Sequence, residues 1–265
     1  MRHIVMFSGG AGSWAAAKRV VEAQGAENVT LLFTDTRMED EDLYRFLGEA
    51  AANVGSELVT IADGRTPWQV FFDERYLGNS RIDPCSKILK RQLSKQWLRE
   101  HCDPAETVVY VGVDWSEEHR YIRLRDRWQT EGWRYEAPLI DAPYLTKAQI
   151  LAWLKAEGIA PPRLYAMGFA HNNCGGFCVK AGHAHFRRLL SAMPDRFAYH
   201  EQQERDIRAY LDADVSILTD TTNGAKRPLT LEAFRQRVES GAQIDLFDLG
   251  GCGCMVDVED ITEVA

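Results

Sequence analysis

Short apolar runs alternate with stretches of helical periodicity along the first 112 residues, which is the sequence form of βα units around a parallel sheet. Residues 4–7, 29–33, 58–61 and 108–111 read as buried strands. Between them, residues 14–21 and 43–52 carry apolar side chains at helical spacing, and residues 86–98 do the same through Ile88, Leu89, Leu93, Trp97 and Leu98. Thr146 precedes Gln149 at capping-box spacing and the apolar run that follows stops at Gly158, so another helix is bounded at both ends. Pro161-Pro162 forces an extended stretch. Asn223-Gly224 marks a turn, residues 231–238 a short helix, and Gly250-Gly251-Cys252-Gly253-Cys254 an irregular segment. The expected fold class is α/β, a parallel twisted sheet with helices on both faces. It occupies residues 1–200, and residues 201–265 form a small cysteine-bearing extension or lid.

With 265 residues and 45% hydrophobic content the chain can bury a full core, which excludes a disulfide miniprotein or a disordered tail. No apolar run approaches membrane-spanning length. Met1 to Phe7 leads straight into a glycine loop with no room for a leader, so a cytoplasmic location is expected. In that compartment six cysteines read as thiols or metal ligands rather than cystines. The net charge of −8 argues against broad nonspecific nucleic-acid binding and leaves a local contact open. Lys87, Lys90, Arg91 and Lys95 are the candidate basic patch.

Ser8-Gly9-Gly10-Ala11-Gly12-Ser13 stands at the end of the first strand and opens the first helix. Glycines let backbone approach an anion closely, the free N–H groups of the first helical turn point at it, and Ser8 and Ser13 add hydroxyl donors. The competing reading is a tight turn that needs glycine for positive φ. The carboxyl end of a strand in an open α/β sheet is where ligands bind, which favours a phosphate loop.

Phe7 to Ser13 resembles the PP-loop of the phosphoadenosine phosphosulfate (PAPS) reductase and N-type ATP pyrophosphatase superfamily, usually Ser-Gly-Gly-x-Asp-Ser. That resemblance implies an adenine nucleotide alpha hydrolase-like fold binding ATP or PAPS. Magnesium would accompany a triphosphate, but Gly12 stands where the aspartate that helps manage it is expected. Further segments are similar to the family's. Asp35, ending Leu32-Phe33-Thr34-Asp35, is a candidate ribose or adenine contact. Asp40 reads as a helix cap, with Glu39, Glu41 and Asp42 as a solvated first turn. In Pro84-Cys85-Ser86-Lys87-Ile88-Leu89-Lys90-Arg91 the cysteine precedes a helix N-terminus, which favours a thiolate, and Lys90 and Arg91 are candidates to neutralise nucleotide phosphates. Glu117 to Arg120 has the family's Glu-x-x-Arg spacing, making Arg120 either a phosphate or sulfate ligand or half of a surface ion pair.

The second specific motif is His171-Asn172-Asn173-Cys174-Gly175-Gly176-Phe177-Cys178. Two cysteines around a Gly-Gly turn can aim both sulfurs at one metal. With Cys85 they are similar to the cluster cysteines of iron–sulfur adenylylsulfate reductases, although Ser86 replaces a second early cysteine and the late spacing differs. The expected metal ligands are Cys85, Cys174, Cys178 and Cys252, holding a [4Fe–4S] cluster, with zinc or a redox-active dithiol as alternatives. His171, His183 and His185 are further candidates, the last two expected on a helical surface. Cys102 reads as buried packing.

Two chemistries share this scaffold. A pyrophosphatase adenylates an acceptor oxygen that sulfur or nitrogen displaces, whereas a sulfonucleotide reductase uses a cysteine thiolate that a thiol reductant then resolves. The family's C-terminal Glu-Cys-Gly-Leu-His motif does not occur, so Cys252 and Cys254 are the candidate substitutes, with Lys90 and Arg120 in supporting catalytic roles. The expected partners are an adenine nucleotide and a sulfur donor or thiol reductant protein. A nucleotide-binding accessory protein without chemistry is the third class.

Overall fold

The computed structural model describes residues 1–221 and 225–242. The expected turn at Asn223-Gly224, the Gly250 to Cys254 segment, Cys252, Cys254 and the lid they were to form lie outside the described residues.

Five parallel strands form one sheet: β1 (Arg2–Met6), β2 (Val29–Asp35), β3 (Glu57–Ala62), β4 (Thr107–Tyr110) and β5 (Arg134–Glu136). Their order is β3-β2-β1-β4-β5. The chain walks outward from β1 through β2 to β3, then returns to the other side of β1 to place β4. The strand order therefore reverses between β1 and β4, and ligands of open α/β sheets bind in the crevice at such a reversal.

Alternation along each strand sends side chains to two cores. Val5, Leu31, Phe33, Val108 and Tyr110 face one side, against α1 (Ala11–Gln24), α2 (Glu41–Val54) and, later in the chain, α7 (Lys147–Ala156). Ile4, Met6, Leu32, Val109 and Val111 face the other. There they meet Leu98 of α5 (Leu93–His101) and Tyr121 and Leu124 of α6 (Glu118–Gln129). Cys102 packs at the edge of this second core and burial raises its thiol pKa, as suits a packed side chain.

Local chemistry sets the helix ends. The Asp40 carboxylate accepts from the Asp42 N–H and Gly55 closes α2 in the left-handed conformation. The expected capping box of α7 is present, with Thr146 and Gln149 each accepting from the other's backbone. A second box, Thr66 with Gln69, starts α3 (Pro67–Asp73). The periodicity of residues 86–98 reads as one regular helix, but the chain makes a short turn α4 (Pro84–Ser86) and a π-helical turn over Lys87–Gln92 before α5. The wider turn carries Lys90 inward, where it is only 6% exposed.

Beyond α7 the chain forms α8 (Arg163–Ala166), α9 (His183–Ala192), α10 (Pro194–Leu211), the antiparallel hairpin β6 (Leu218–Asp220) and β7 (Arg227–Leu229), and α11 (Leu231–Glu239). Residue 200, the expected domain boundary, falls within α10. A third core joins Trp68 and Phe71 of α3 to Phe177, Phe186, Phe197, Ile207, Leu218 and Phe234, so the hairpin and α11 pack with the Cys174–Cys178 loop. Glu204 of α10 ties them down: its carboxylate accepts from the Ile217 N–H at 3.0 Å and the Leu231 N–H at 2.5 Å. Burial pushes its pKa up to about 7 against those two donors.

Candidate nucleotide and thiol site

The turn from β1 into α1 is built from backbone. Gly9 has φ +74°, and a Cβ there would lie 2.8 Å from Leu43 Cγ, so this position requires glycine for both conformation and space. Gly10 is the N-cap and brings no side-chain cap, which leaves the first turn of α1 to other partners. The Tyr165 hydroxyl accepts from the Ala11 N–H at 3.3 Å. Ser13 Oγ donates to the Gly10 carbonyl at 2.9 Å, and Ser8 Oγ to Ser13 Oγ at 3.4 Å. Across the crevice Gly112, just beyond β4, lies so close that a Cβ on it would meet the Ser13 nitrogen at 2.7 Å. A Cβ on Gly12 would in turn stand 3.1 Å from the Gly112 carbonyl oxygen. Glycine at position 12 thus matches a backbone-to-backbone contact that leaves an aspartate little room.

At the end of β2, Asp35 is buried and its Oδ1 accepts from the Arg37 N–H at 2.8 Å and the Tyr44 hydroxyl at 2.9 Å. Burial first, then Asp35 itself, raises the Tyr44 pKa, so that hydroxyl keeps its proton. Glu39 overturns the expectation of a solvated acid. It is 7% exposed, accepts from Thr36 Oγ1 at 2.9 Å and from the Cys174 N–H at 2.5 Å, and lies 3.6 Å from Lys90 Nζ. Asp40 caps α2 as expected but is fully buried, held by Arg163 at 2.7 Å.

Three of the four cations of the expected basic patch face carboxylates of the chain, and Lys87 is exposed. Lys90 faces Glu39, Arg91 pairs with Asp83 at 3.3 Å, and Lys95 pairs with Glu131 at 2.6 Å. Arg120 is partly buried and ion-paired with Glu117.

The cysteine loop packs beside the Ser8–Ser13 loop. Asn172 Nδ2 donates to the Gly9 carbonyl at 2.9 Å. Cys174, Gly175 and Gly176 then take three consecutive left-handed conformations, φ +50°, +58° and +83°. The first is uncommon for a residue with a Cβ, and the bond from the Cys174 N–H to Glu39 holds it there. A Cβ on Gly175 would fall on the Arg196 guanidinium, which reaches past it to the Met38 carbonyl at 2.5 Å. Cys85, Cys174 and Cys178 line one cavity of about 20 Å³, together with Thr36, Lys90 and Lys180. Three of the four expected sulfur ligands thus meet at one place. Among the described residues no group of three or more His, Cys, Asp or Glu is arranged so as to hold a metal.

His183 and His185 are buried at the start of α9 rather than on a surface. His185 stacks on His171 with centroids 4.8 Å apart, and its Nε2 lies 2.8 Å from the Gly176 carbonyl. Burial, then the neighbouring His171, push its pKa down to about 4, so it is neutral at physiological pH.

The comparison with known families decides the assignment. A model of the phosphoadenosine phosphosulfate reductase domain matches residues 2–181, from β1 through the cysteine loop. The chain belongs to this family. Two solved structures are similar to the reductase-domain chain. One is the phosphate complex of a PAPS reductase from Candida auris, at 15% identity and a TM-score of 0.46, covering 64% of this chain and 79% of that one. The other is a predicted subunit of a tRNA methyltransferase from Methanocaldococcus jannaschii DSM, at 18% identity and a TM-score of 0.35, covering 62% and 91%. No curated protein matches the chain. Among the described residues no helix is long and apolar enough to cross a membrane.

Glu39, Asn172, Tyr165 and Lys180 were missed by sequence reasoning. Each matters through a partner more than 50 residues away or through a shared cavity, and no local pattern marks such a role.

Proposed function

We propose that this PAPS reductase-domain protein is an enzyme that binds an adenine nucleotide, ATP or PAPS, by its phosphates at the Ser8–Ser13 loop and carries out sulfur chemistry at the adjoining thiols. One observation carries the reading: the Asn172–Gly9 hydrogen bond fastens the cysteine loop to the phosphate loop, so the anion cradle and Cys85, Cys174 and Cys178 adjoin. Asp35 contributes to ribose or adenine recognition, and Arg91 and Arg120 compensate phosphate or sulfate charge after exchanging their present carboxylate partners.

Cys85, Cys174 and Cys178 are the donor type that an iron–sulfur cluster or zinc takes, but among the described residues they are not arranged to hold one, and Cys252, the expected fourth ligand, lies outside those residues. An iron–sulfur cluster would supply redox capacity there. Lys90, buried next to Glu39, stands at the same cavity and offers a cation to the leaving phosphate or sulfite.

A specific observation favours sulfonucleotide reduction over ATP cleavage. The tight Gly12–Gly112 approach removes the carboxylate that pyrophosphatases of the superfamily use with magnesium. In that reaction a cysteine thiolate attacks the sulfate sulfur, the S–O bond to the nucleotide breaks and the nucleotide phosphate departs. A second thiol then releases sulfite from the thiosulfonate, leaving a disulfide. Cys252 and Cys254 are the candidate nucleophiles.

Incubation with radiolabelled ATP and PAPS tests the proposal. Sulfite or pyrophosphate as a product supports it and separates the two chemistries. Calorimetrically detected binding with no product from either nucleotide assigns the chain to the accessory class, and absence of nucleotide binding overturns the reading.

A further inference from the structure

A cleft of about 990 Å³ opens on the far side of the cysteine loop, between the 75–81 segment, the start of α9 and the β6–β7 hairpin. Among the described residues its charged lining is all of one sign: Arg75, Arg81, Lys180 and Lys226, joined by His183 and no carboxylate. In a chain with a net charge of −8 that segregation is a local feature, and a cleft lined by one sign of charge concentrates ions of the other.

Arg75, Arg81 and Lys226 are presented to the cleft. Arg75 sits at φ +51° with its guanidinium 4.9 Å over the Tyr210 ring and Nη1 donating to the Tyr210 hydroxyl at 3.0 Å. That arrangement fixes the cation without cancelling its charge. The Asn79 side chain accepts from the Arg81 and Ile82 N–H groups at 2.9 and 3.2 Å, which shapes the turn that carries Arg81. Arg81 and Lys226 are exposed and form no ion pair among the described residues. Tyr76, 36% exposed, adds an aromatic face to the lining. The volume lies at the upper end for a single small ligand, and the cations are spread over three chain segments, which suits several phosphates in a row. Spaced cations with an exposed aromatic are what a flexible strand of phosphodiesters needs, charge for its backbone and a face for a base.

Lys180 lines both this cleft and the Cys85–Cys174–Cys178 cavity, so the two adjoin at that residue. We propose that the cleft binds a short single-stranded nucleic-acid segment through its phosphates and presents it to the thiol cavity. That presentation rests on the functional reading above; binding itself does not.

The test is fluorescence anisotropy of the full-length protein with a labelled twelve-nucleotide single strand across a salt series, with ATP and a polyglutamate peptide as competitors. Neutralising about four phosphates predicts a slope of log affinity against log salt near about −2.8. The Arg81→Ala/Lys226→Ala variant should bind at least tenfold more weakly at low salt, with the slope reduced by about 1.4. Gly9→Val, which disrupts the phosphate loop, should lose ATP binding and keep the strand, so the two sites fail separately. No strand binding at low salt, displacement of the strand by ATP or equally well by polyglutamate, or an unchanged Arg81→Ala/Lys226→Ala variant would each overturn the proposal.

Discussion

The Ser8–Ser13 loop and the cysteine loop are joined by the Asn172–Gly9 hydrogen bond, yet they are made in opposite ways. The first is local: β1, two glycines and the start of α1 determine it within a dozen residues, and its packing partners Leu43 and Gly112 only require that the glycines stay bare. The second is assembled from a distance. Its left-handed Cys174 is held by Glu39, its Gly175 makes way for Arg196, and its two cysteines line a cavity together with Cys85. A local loop tolerates change elsewhere and fails on its own residues, whereas an assembled loop fails when remote partners are lost.

The largest expected effect breaks the local side. Gly9→Val places a branched side chain at φ +74° against Leu43 and should weaken ATP or PAPS binding at least a hundredfold by calorimetry. Gly10→Ala should cost far less, because φ is negative there and the nearest obstacle, the Tyr165 hydroxyl at 3.3 Å, is the tip of a side chain. Equal losses would show that the loop is not held by conformation.

On the assembled side, Glu39→Ala removes the partner of buried Lys90 and the acceptor of the Cys174 N–H. Urea unfolding should show a loss of about 3–5 kcal/mol, the usual cost of leaving one member of a buried ion pair alone. Glu39→Gln, which keeps an acceptor, should restore part of it. Removing Glu39 without effect would mean that the cysteine loop stands by itself.

Metal content sharpens the comparison further. Cys174→Ser and Cys178→Ser proteins purified without oxygen should each lose iron or zinc, whereas Cys102→Ser should retain it, as expected of a side chain at the edge of a core. Equal metal in all three variants would remove the cysteine loop from ligation.

The smallest effect is a pH dependence around the third core. The raised pKa of Glu204, about 7 against 4.5, gives stability that is fully present below pH 4.5 and lost as pH rises through 7. His185, lowered from 6.5 to about 4, acts oppositely: its contribution is present above pH 6.5 and lost as pH falls through 4. Glu204→Gln should therefore flatten the loss between pH 4.5 and 7 and leave the acid limb in place. Parallel stability curves for the two proteins would refute the assignment.

The same division explains what the sequence discloses. Periodicity, caps and the glycine loop are local, and the four expected strands, the α7 capping box and the β1–α1 corner appear where the residues predict them. The Lys87–Gln92 π turn follows no residue pattern, so Lys90 reads in the sequence as a cation for nucleotide phosphates or for a solvated helix face, and its burial beside Glu39 is not legible there. Glu39 sits in a run of acids that looks solvated, and the Cys174 N–H and Lys90, both distant in sequence, join nearby Thr36 Oγ1 in making its burial tolerable. The grouping of Cys85 with Cys174 and Cys178 is legible through the resemblance to the cluster cysteines of iron–sulfur adenylylsulfate reductases, and the three line one cavity.

The central claim, that phosphate loop and thiols form one site, has a direct test. Alkylation rates of Cys85, Cys174, Cys178 and Cys102 can be measured peptide by peptide, by mass spectrometry, with and without saturating ATP or PAPS. The account predicts that nucleotide changes the labelling of the first three and leaves Cys102 unaltered. Nucleotide binding that leaves all four rates the same would contradict it.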